Sequence, residues 1–562
     1  MTSVRDFLVK YPDLAIFLVI GIGFWIGSLK VRGFGLGSVT GSLFAGILVG
    51  QFAEVPVAPM AKSVLFLLFL FGIGYSVGPQ IVTAMRGEGL KGVVIGILVP
   101  AVGVTTAVVM ARLLGLDVGF AAGMYSGGIT ESPAIGTASE AIRTLDMPEA
   151  ERERLVSHIA VADALCYLFG AIGVILFCSL IGPKLLGIDV RAEAEKLEAA
   201  YGIQRTRSGV VSAWRKFELR GYRVAEGAKV AGKRVDATET LVQEARLFVM
   251  RLRRDGEILE ATPDTVLRAG DVIAVAGRRE TLVEVLGASG AEVEDRELLD
   301  VPTASYDVYV TVRDVLDRTL AELAGSDVAR GVFMRRITRG GLEIPIAPAA
   351  KLERGDVVTL VGPEVMVERA AREIGVVVRP TEKTDFVALG LGIFFGGVAG
   401  VLIALTVGGV KVSLSTSVGT LLAGLLVGWL RSVRPTFARI PDAAISAFTS
   451  FGLAAFVGMV GLHAGPVFVQ AVQQAGVPIL IGGAAVTVMP MLVALLVGRY
   501  VLRMNPLLLL GAIAGAQTMT AALAALQERS NSSVAVLGYT AAVPFGHVLL
   551  TTGGTIVVYL TC

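Results

Sequence analysis

Residues 41–50 read GSLFAGILVG and residues 419–428 read GTLLAGLLVG, with seven of ten positions identical. Other landmarks follow in the same order on both sides. Gly78-Pro79 answers to Gly465-Pro466, the stretch Gly127 to Ser132 to the stretch Gly515 to Thr520, and Phe169-Gly170 to Phe545-Gly546. Ordered landmarks at similar spacing mean that the chain carries one unit twice.

The rest of the composition says what the unit is. The chain has 562 residues, 54% of them hydrophobic, and a mean hydropathy of +0.71. From Lys184 to Thr384 there are 32 Lys/Arg and 33 Asp/Glu, about two-thirds of all the charges in about a third of the length. The flanks are poor in charge, as lipid requires. Apolar runs long enough to span a bilayer fall near 13–29, 35–53, 60–80, 90–114 and 155–182, and again near 385–409, 413–430, 444–464, 478–501 and 533–559. Each half also holds one odd segment. Residues 118–142 are interrupted by SGGITESP (126–133), and residues 506–527 by GAQTMT (515–520).

The expected architecture is an α-helical polytopic membrane protein of two inverted repeats, each with about five spans plus one re-entrant or broken helix, and an inserted α/β tandem domain. The repeats cover 1–183 and 385–562, with a linker at 184–205 and two soluble units at 206–290 and 297–380. Inversion follows if the odd segments re-enter rather than cross. With the insert in the cytoplasm, Arg431, Arg434, Arg439, Arg499, Arg503 and Arg529 fall inside and only Lys411 outside, in line with the positive-inside rule. The first half is less clean, because Arg143, Arg152 and Arg154 fall outside. In the insert, LRAGDVIAVAGRRETLVEVLG (267–287) and LERGDVVTLVGPEVMVERAAREIG (352–375) each read as a Gly-Asp turn, a strand and a helix. The acidic run EVEDRELLD (292–300) reads as an exposed linker between them.

Unwound backbone inside a bilayer persists only where protein or water covers it. A matched pair of breaks is therefore the best pointer to a transport site. The expected substrate-binding residues are Ser126, Gly127, Gly128, Thr130, Glu131 and Ser132 in the first break, with Gly515, Gln517, Thr518 and Thr520 in the second. Glycines permit the unwinding, the hydroxyls and the amide supply polar contacts, and helix ends suit carboxylates. The plainer reading of any one of these residues is helix packing. Ionisable groups inside spans are costly, so Asp163, His463 and His547 are coupling candidates, although the histidines also fit structural roles. His158, beside the ERER run, is expected at the membrane interface.

Cys166, Cys178 and Cys562 show no metal spacing. There is no metal cluster, nucleophile elbow or Walker loop, and GFGLG (33–37) opens a span rather than a phosphate loop. The expectation is no enzyme, no cofactor, and transport driven by gradients or exchange. No basic stripe suggests nucleic acid.

FLFGIGYSVGPQIV (69–82), the doubled GxLxAGxLVG and GAQTMT resemble the aspartate–alanine exchanger family of bacterial membrane proteins, and the insert resembles a tandem pair of TrkA-C (RCK-C-like) domains carried in the same place. The resemblance implies electrogenic exchange of aspartate for alanine in the bacterial inner membrane, with Glu131 available to the substrate's amino group. An elevator-type mechanism would set a rigid frame containing the Gly-rich second spans against moving hairpins and last spans, and such folds often form homodimers. Two other readings stand beside it. One is a potassium channel or transporter gated by the insert; the other is an orphan dicarboxylate transporter or sensor whose soluble domains bind a ligand of unknown kind.

Overall fold

The computed structural model describes residues 4–31, 34–35, 37–84, 89–201, 217–239, 247–278, 282–283, 292–316, 318–326, 329–339, 342–378, 384–407, 410–413, 415–434 and 437–562. The chain divides into two compact units. One is Met1–Leu197 with Arg339–Ile344 and Pro380–Cys562, the other Glu198–Thr338 with Pro345–Arg379.

The first unit is helical. Its first half contains α1 (Pro12–Ser28), α2 (Ser38–Phe52), α3 (Pro59–Ala84), α4 (Gly89–Leu114), α5 (Val118–Gly128), α6 (Pro133–Arg143) and α7 (Glu149–Leu176). Among the described residues, six helices in this unit are long and apolar enough to cross a membrane, or seven if the bent pair Val4–Lys10 and Pro12–Ser28 counts as one span. Their outward faces carry large apolar side chains, Val64, Leu113 and Val477 among them. Water would penalise such faces, whereas lipid would not.

The spans depart from the sequence reading in two places, while the odd segments are broken as expected. The two expected near 444–464 and 478–501 lie in one continuous helix, Asp442–Leu496. The helix runs on through Gln473, Gln474 and Gly476, the polar stretch between Pro466 and Pro478. At 1.5 Å per residue this helix would be about 83 Å long if straight, well beyond a bilayer core of about 30 Å. The run expected at 385–409 ends as a helix at Leu402, and Ala404–Val407 pairs antiparallel with Val410–Ser413. The β-branched residues of that stretch favour a hairpin. The first half has the same device at the same place, where Lys30–Val31 pairs with Phe34–Gly35. Finally, each odd segment is two helices of 11 residues. Each arm is about 16 Å long and cannot cross the bilayer alone.

The doubled motif explains how the halves hold together. Helix α2, which carries the first copy, does not pack on the third helix of its own half. A Cβ on Gly46 would lie 2.2 Å from the carbonyl oxygen of Gly458, in the long helix of the second half. The second copy behaves in the same way, for a Cβ on Gly424 would lie 2.4 Å from the carbonyl oxygen of Phe71 in α3. Glycine at these positions lets backbones touch, which is how helices associate without a hydrophobic driving force between them.

Between the two membrane halves the chain forms two sheets of like topology. The first has β1 (Phe217–Arg223), β2 (Phe248–Arg254), β3 (Glu257–Glu260) and β4 (Val272–Arg278), in the order β1-β4-β2-β3. The second has β5 (Thr303–Val310), β6 (Phe333–Arg339), β7 (Leu342–Ile344), β8 (Val357–Pro363) and β9 (Gly375–Val377), in the order β9-β5-β8-β6-β7. The predicted Gly-Asp turns are present in both. Gly270 and Gly355 each have φ +93°, and the following Asp271 and Asp356 each accept from a backbone N–H three residues back, at 2.7 and 2.9 Å. Helix α8 (Glu364–Ile374) follows β8 as expected. The corresponding helix of the first unit, and residues 206–216, lie outside the described residues apart from 282–283.

The acidic run is not a bare linker. Asp295 caps the short helix Arg296–Leu299 and takes two hydrogen bonds from Arg253, at 2.7 and 3.0 Å. That guanidinium holds the Asp295 carboxyl below the usual carboxylate range. Burial pushes Asp271 upward, but the hydrogen bonds from Arg254, at 2.9 and 2.7 Å, and from Arg268 N, with the charges of both guanidiniums, together outweigh it and leave its carboxyl lowered.

The second half of the membrane unit continues with α9 (Phe386–Leu402), α10 (Ser415–Val433), α11 (Asp442–Leu496), α12 (Pro506–Ala516), α13 (Thr520–Ser530) and α14 (Val536–Thr561).

Candidate functional site

The first helices of the two breaks are capped by similar side chains and end in the same backbone turn. Asp117 caps α5 by accepting from Phe120 N at 2.9 Å, and Asn505 caps α12 by accepting from Leu507 N at 2.9 Å. Helix α5 ends in a turn where Thr130 N donates to Gly127 O and Glu131 N to Ser126 O, at 3.1 and 2.9 Å. Helix α12 ends with Thr518 N on Gly515 O and Met519 N on Ala514 O, both at 2.9 Å. These are Schellman endings, whose pivotal residue sits in the left-handed region and is usually glycine. Here it is threonine in both, with φ +59° at Thr130 and +53° at Thr518. A β-branched residue in this region costs on the order of 1–3 kcal/mol. Glycine would relieve that cost but would lose the hydroxyl. Close packing by a glycine of each last span holds each ending in place. A Cβ on Gly170 would meet Gly127 O at 2.6 Å, and one on Gly546 would meet Ala516 O at 2.7 Å.

The two breaks meet at Glu131. Its carboxylate accepts from Thr518 Oγ1 at 2.8 Å and from Thr551 Oγ1 of α14 at 3.0 Å, with His547 Nδ1 at 3.6 Å. Thr130 Oγ1 lies 3.9 Å from Met519 Sδ. Glu131 is only 2% exposed. A carboxylate this deep needs its donors, each worth roughly 1.5–3 kcal/mol.

Behind the first break, Ser126 Oγ donates to Asp163 Oδ1 at 2.6 Å, while Asp163 Oδ2 has no partner among the described residues. In the second break, neither amide atom of the buried Gln517 finds a partner. Three buried polar atoms without partners, at residues flanking the two breaks, are a reserve of unmet hydrogen bonding.

The remaining expected residues divide. Gly127, Gly128 and Gly515 form the helix ends, and Ser132 is buried at the start of α6. Thr520 is exposed, because it is the first residue of α13 and faces away from the contact. His547 joins Glu131, whereas His463 pairs with Glu153 at 2.8 Å. His158 is buried within the protein. It bonds Asp117 at 2.7 Å and stacks on Phe120 with centroids 4.0 Å apart, so it braces the cap of α5. Thr551 was missed, although TTGG (551–554) is a polar interruption of the last span. Cys166 and Cys178 are buried, and all three cysteines are free thiols. Among the described residues no three His, Cys, Asp or Glu side chains gather as a metal site would need.

The sequence profile described as "Predicted Permease Membrane Region" matches residues 15–183 and 386–559, and that of the TrkA-C domain matches residues 219–287. An uncharacterized transporter of Bradyrhizobium diazoefficiens is 53% identical over 92% of this chain and all of its own length. Another, from Shewanella oneidensis, is 35% identical over the whole of both chains, and one from Bordetella bronchiseptica is 37% identical over 99% of this chain and 98% of its own. No solved structure matches. With two related membrane halves split by a TrkA-C-bearing insert, and relatives matched along their entire length, the chain belongs to the aspartate–alanine exchanger family of multi-pass membrane permeases.

Proposed function

We propose that the protein is a secondary exchanger of small amino acids or dicarboxylates, with aspartate and alanine the first pair to test. The substrate binds where the two breaks meet. The observation that carries this is the matched pair of left-handed threonines, Thr130 and Thr518, whose strained turns face each other, with the Thr518 hydroxyl on the buried Glu131 carboxylate and the Thr130 hydroxyl beside Met519. Strain kept at equivalent points of two repeats is a mark of function rather than of packing. In this reading Glu131 receives the substrate's ammonium, the helix ends receive its carboxylate, and Gln517 supplies an amide. Asp163 and His547 are the coupling groups nearest the site, and His463, committed to Glu153, is the weakest of the three candidates.

Glu131 and Gln517 are buried within the protein, so in this reading turnover requires movement. The hairpins and last spans would move as one body against a frame that contains α2 and α10, as in an elevator. The repeats would be inverted, the insert cytoplasmic, the membrane the bacterial inner membrane and the assembly a homodimer.

The test is uptake of labelled aspartate by vesicles preloaded with aspartate, alanine, succinate or nothing. Uptake that requires internal aspartate or alanine supports exchange and names the pair. Uptake stimulated only by succinate moves the substrate class to dicarboxylates. No aspartate uptake under any loading retires aspartate and alanine as the pair and turns the test to a panel of dicarboxylates, other amino acids and potassium.

A further inference from the structure

Asp163 of α7 and Ser126 of α5 share one hydroxyl hydrogen among three oxygens. Ser126 Oγ lies 2.6 Å from Asp163 Oδ1 and 3.1 Å from the carbonyl oxygen of Gly123. Both side chains are fully buried. An ionised Asp163 takes the Ser126 hydrogen as its one donor and leaves Oδ2 without a partner. An Asp163 protonated at Oδ1 donates to Ser126 Oγ, and the serine hydrogen turns to Gly123 O. The second arrangement uses both hydrogens and buries no charge.

Nothing packed around α7 answers the charged form. Helices α2 and α5 carry no charged residue. In α6, Glu140 accepts from Thr416 N at 3.0 Å, and Arg143 lies at the far end of that arm. In α11, Asp442 stands at the first residue, and His463 bonds Glu153 at 2.8 Å, about 15 Å along α7 from Asp163. Glu528 and Arg529 lie in the last turn of α13. Within α7 itself, Cys166 donates to Ile479 O at 3.5 Å, and Tyr167 is the other titratable neighbour. A carboxylate so placed is costly. A metal ion as its counter-charge needs several oxygen ligands, whereas a proton needs only the relay already there.

The pair is also tied to the first break. Ser126 O accepts from Glu131 N at 2.9 Å, and a Cβ on Gly127 would lie 2.6 Å from Asp163 O. We propose that Asp163 is a proton-binding site, and that the first break and α7 move only while the proton is bound. Loading takes a proton from hydronium and leaves water; unloading reverses this. The site stands on its own geometry, while the link to movement rests on the exchange reading above. The neutral form is the mobile one, so exchange is present at low pH and is lost as the pH rises through the value at which Asp163 ionises.

Two measurements on the full-length protein in liposomes test this. The first is the infrared carbonyl stretch of a protonated carboxylic acid, followed with pH and in sodium or potassium. The wild type and Glu131→Gln should show a band that disappears as the pH rises, is the same in either salt, and is missing from Asp163→Asn. If Asp163→Asn does not fold, Ser126→Ala takes its place and should shift the band by removing its partner. The second is aspartate exchange from about pH 5 to about pH 9, each protein normalised to its own rate at the lowest pH. The wild type and His547→Gln should lose about tenfold per pH unit above the midpoint, and Asp163→Asn should lose severalfold less. A band that Asp163→Asn keeps, that only Glu131→Gln removes or that sodium abolishes overturns the proton site, whether or not aspartate is transported. A wild-type exchange rate that is flat with pH, or a dependence that Asp163→Asn retains, overturns the link to movement. Absence of exchange in the wild type at every pH defeats the exchange reading and with it the link to movement, and leaves the infrared band to decide the site.

Discussion

Thr518 does two jobs that pull in different directions. Its backbone adopts a conformation suited to glycine, and its hydroxyl holds Glu131. The variants Thr518→Ala and Thr518→Gly separate the two. Alanine keeps the strain and loses the donor, so half-saturation for the transported substrate should rise about tenfold, equivalent to about 1.4 kcal/mol. Glycine loses the donor but relieves the strain, so the protein should be as stable as the wild type or more stable and still transport poorly. Vesicle uptake kinetics and a thermal unfolding curve check the two arms. Equal half-saturation in the wild type and both variants would remove Thr518 from the site. At this scale the sequence was legible where two breaks could be compared, which is why Thr130, Thr518 and Glu131 stood out. It was silent where a residue's partner lies far along the chain. Thr551 is 420 positions from Glu131, and no local pattern announces that the two meet.

Elements were more readable than their partners. Apolar length located nearly every helix, because a span must hide its backbone within itself. The same signal could not show that α11 runs on through Pro466 and Pro478, since proline inside a membrane helix is tolerated when neighbours cover the freed carbonyl. Nor could it say which helix the doubled glycine motif touches. The contact runs across the halves, and this sets a sharp expectation. Gly424→Val should push a branched side chain into the carbonyl of Phe71 and pry α10 from α3. The folded, monodisperse fraction on size exclusion should fall severalfold, and Gly46→Val should do the same. Gly21→Ala, where no atom lies within 4 Å of the added carbon, is the control and should leave the profile unchanged. A normal profile for Gly424→Val would mean that the two helices can separate without cost.

As a whole, the molecule joins two units with different chemistry. The soluble unit is laced with guanidinium–carboxylate pairs, among them Arg253–Asp295, Arg254–Asp271 and Arg330–Glu239. Asp271 and Asp295 titrate below the usual carboxylate range. Their stabilisation is present above the unfolded-state value of about 4 and is lost as the pH falls through the lowered folded value. The soluble unit should therefore become sensitive to an acid-active protease below about pH 4 while the helical unit stays resistant, with Asp271→Asn flattening that dependence. Peptide mapping of the full-length protein across this range would check it, and equal sensitivity of both units at every pH would contradict it. The packing of each glycine motif on the opposite half also bears on how the protein is made. Gly46 leaves the ribosome about 400 residues before Gly458, and at roughly 5–20 residues per second that interval is about 20–80 s. Throughout it the first half sits in the bilayer with its closest-packing face turned to lipid, while the ribosome completes a soluble domain. Newborn first halves must therefore be kept from pairing with one another, and a cell that makes this protein quickly will depend on insertase or chaperone capacity to cover that wait.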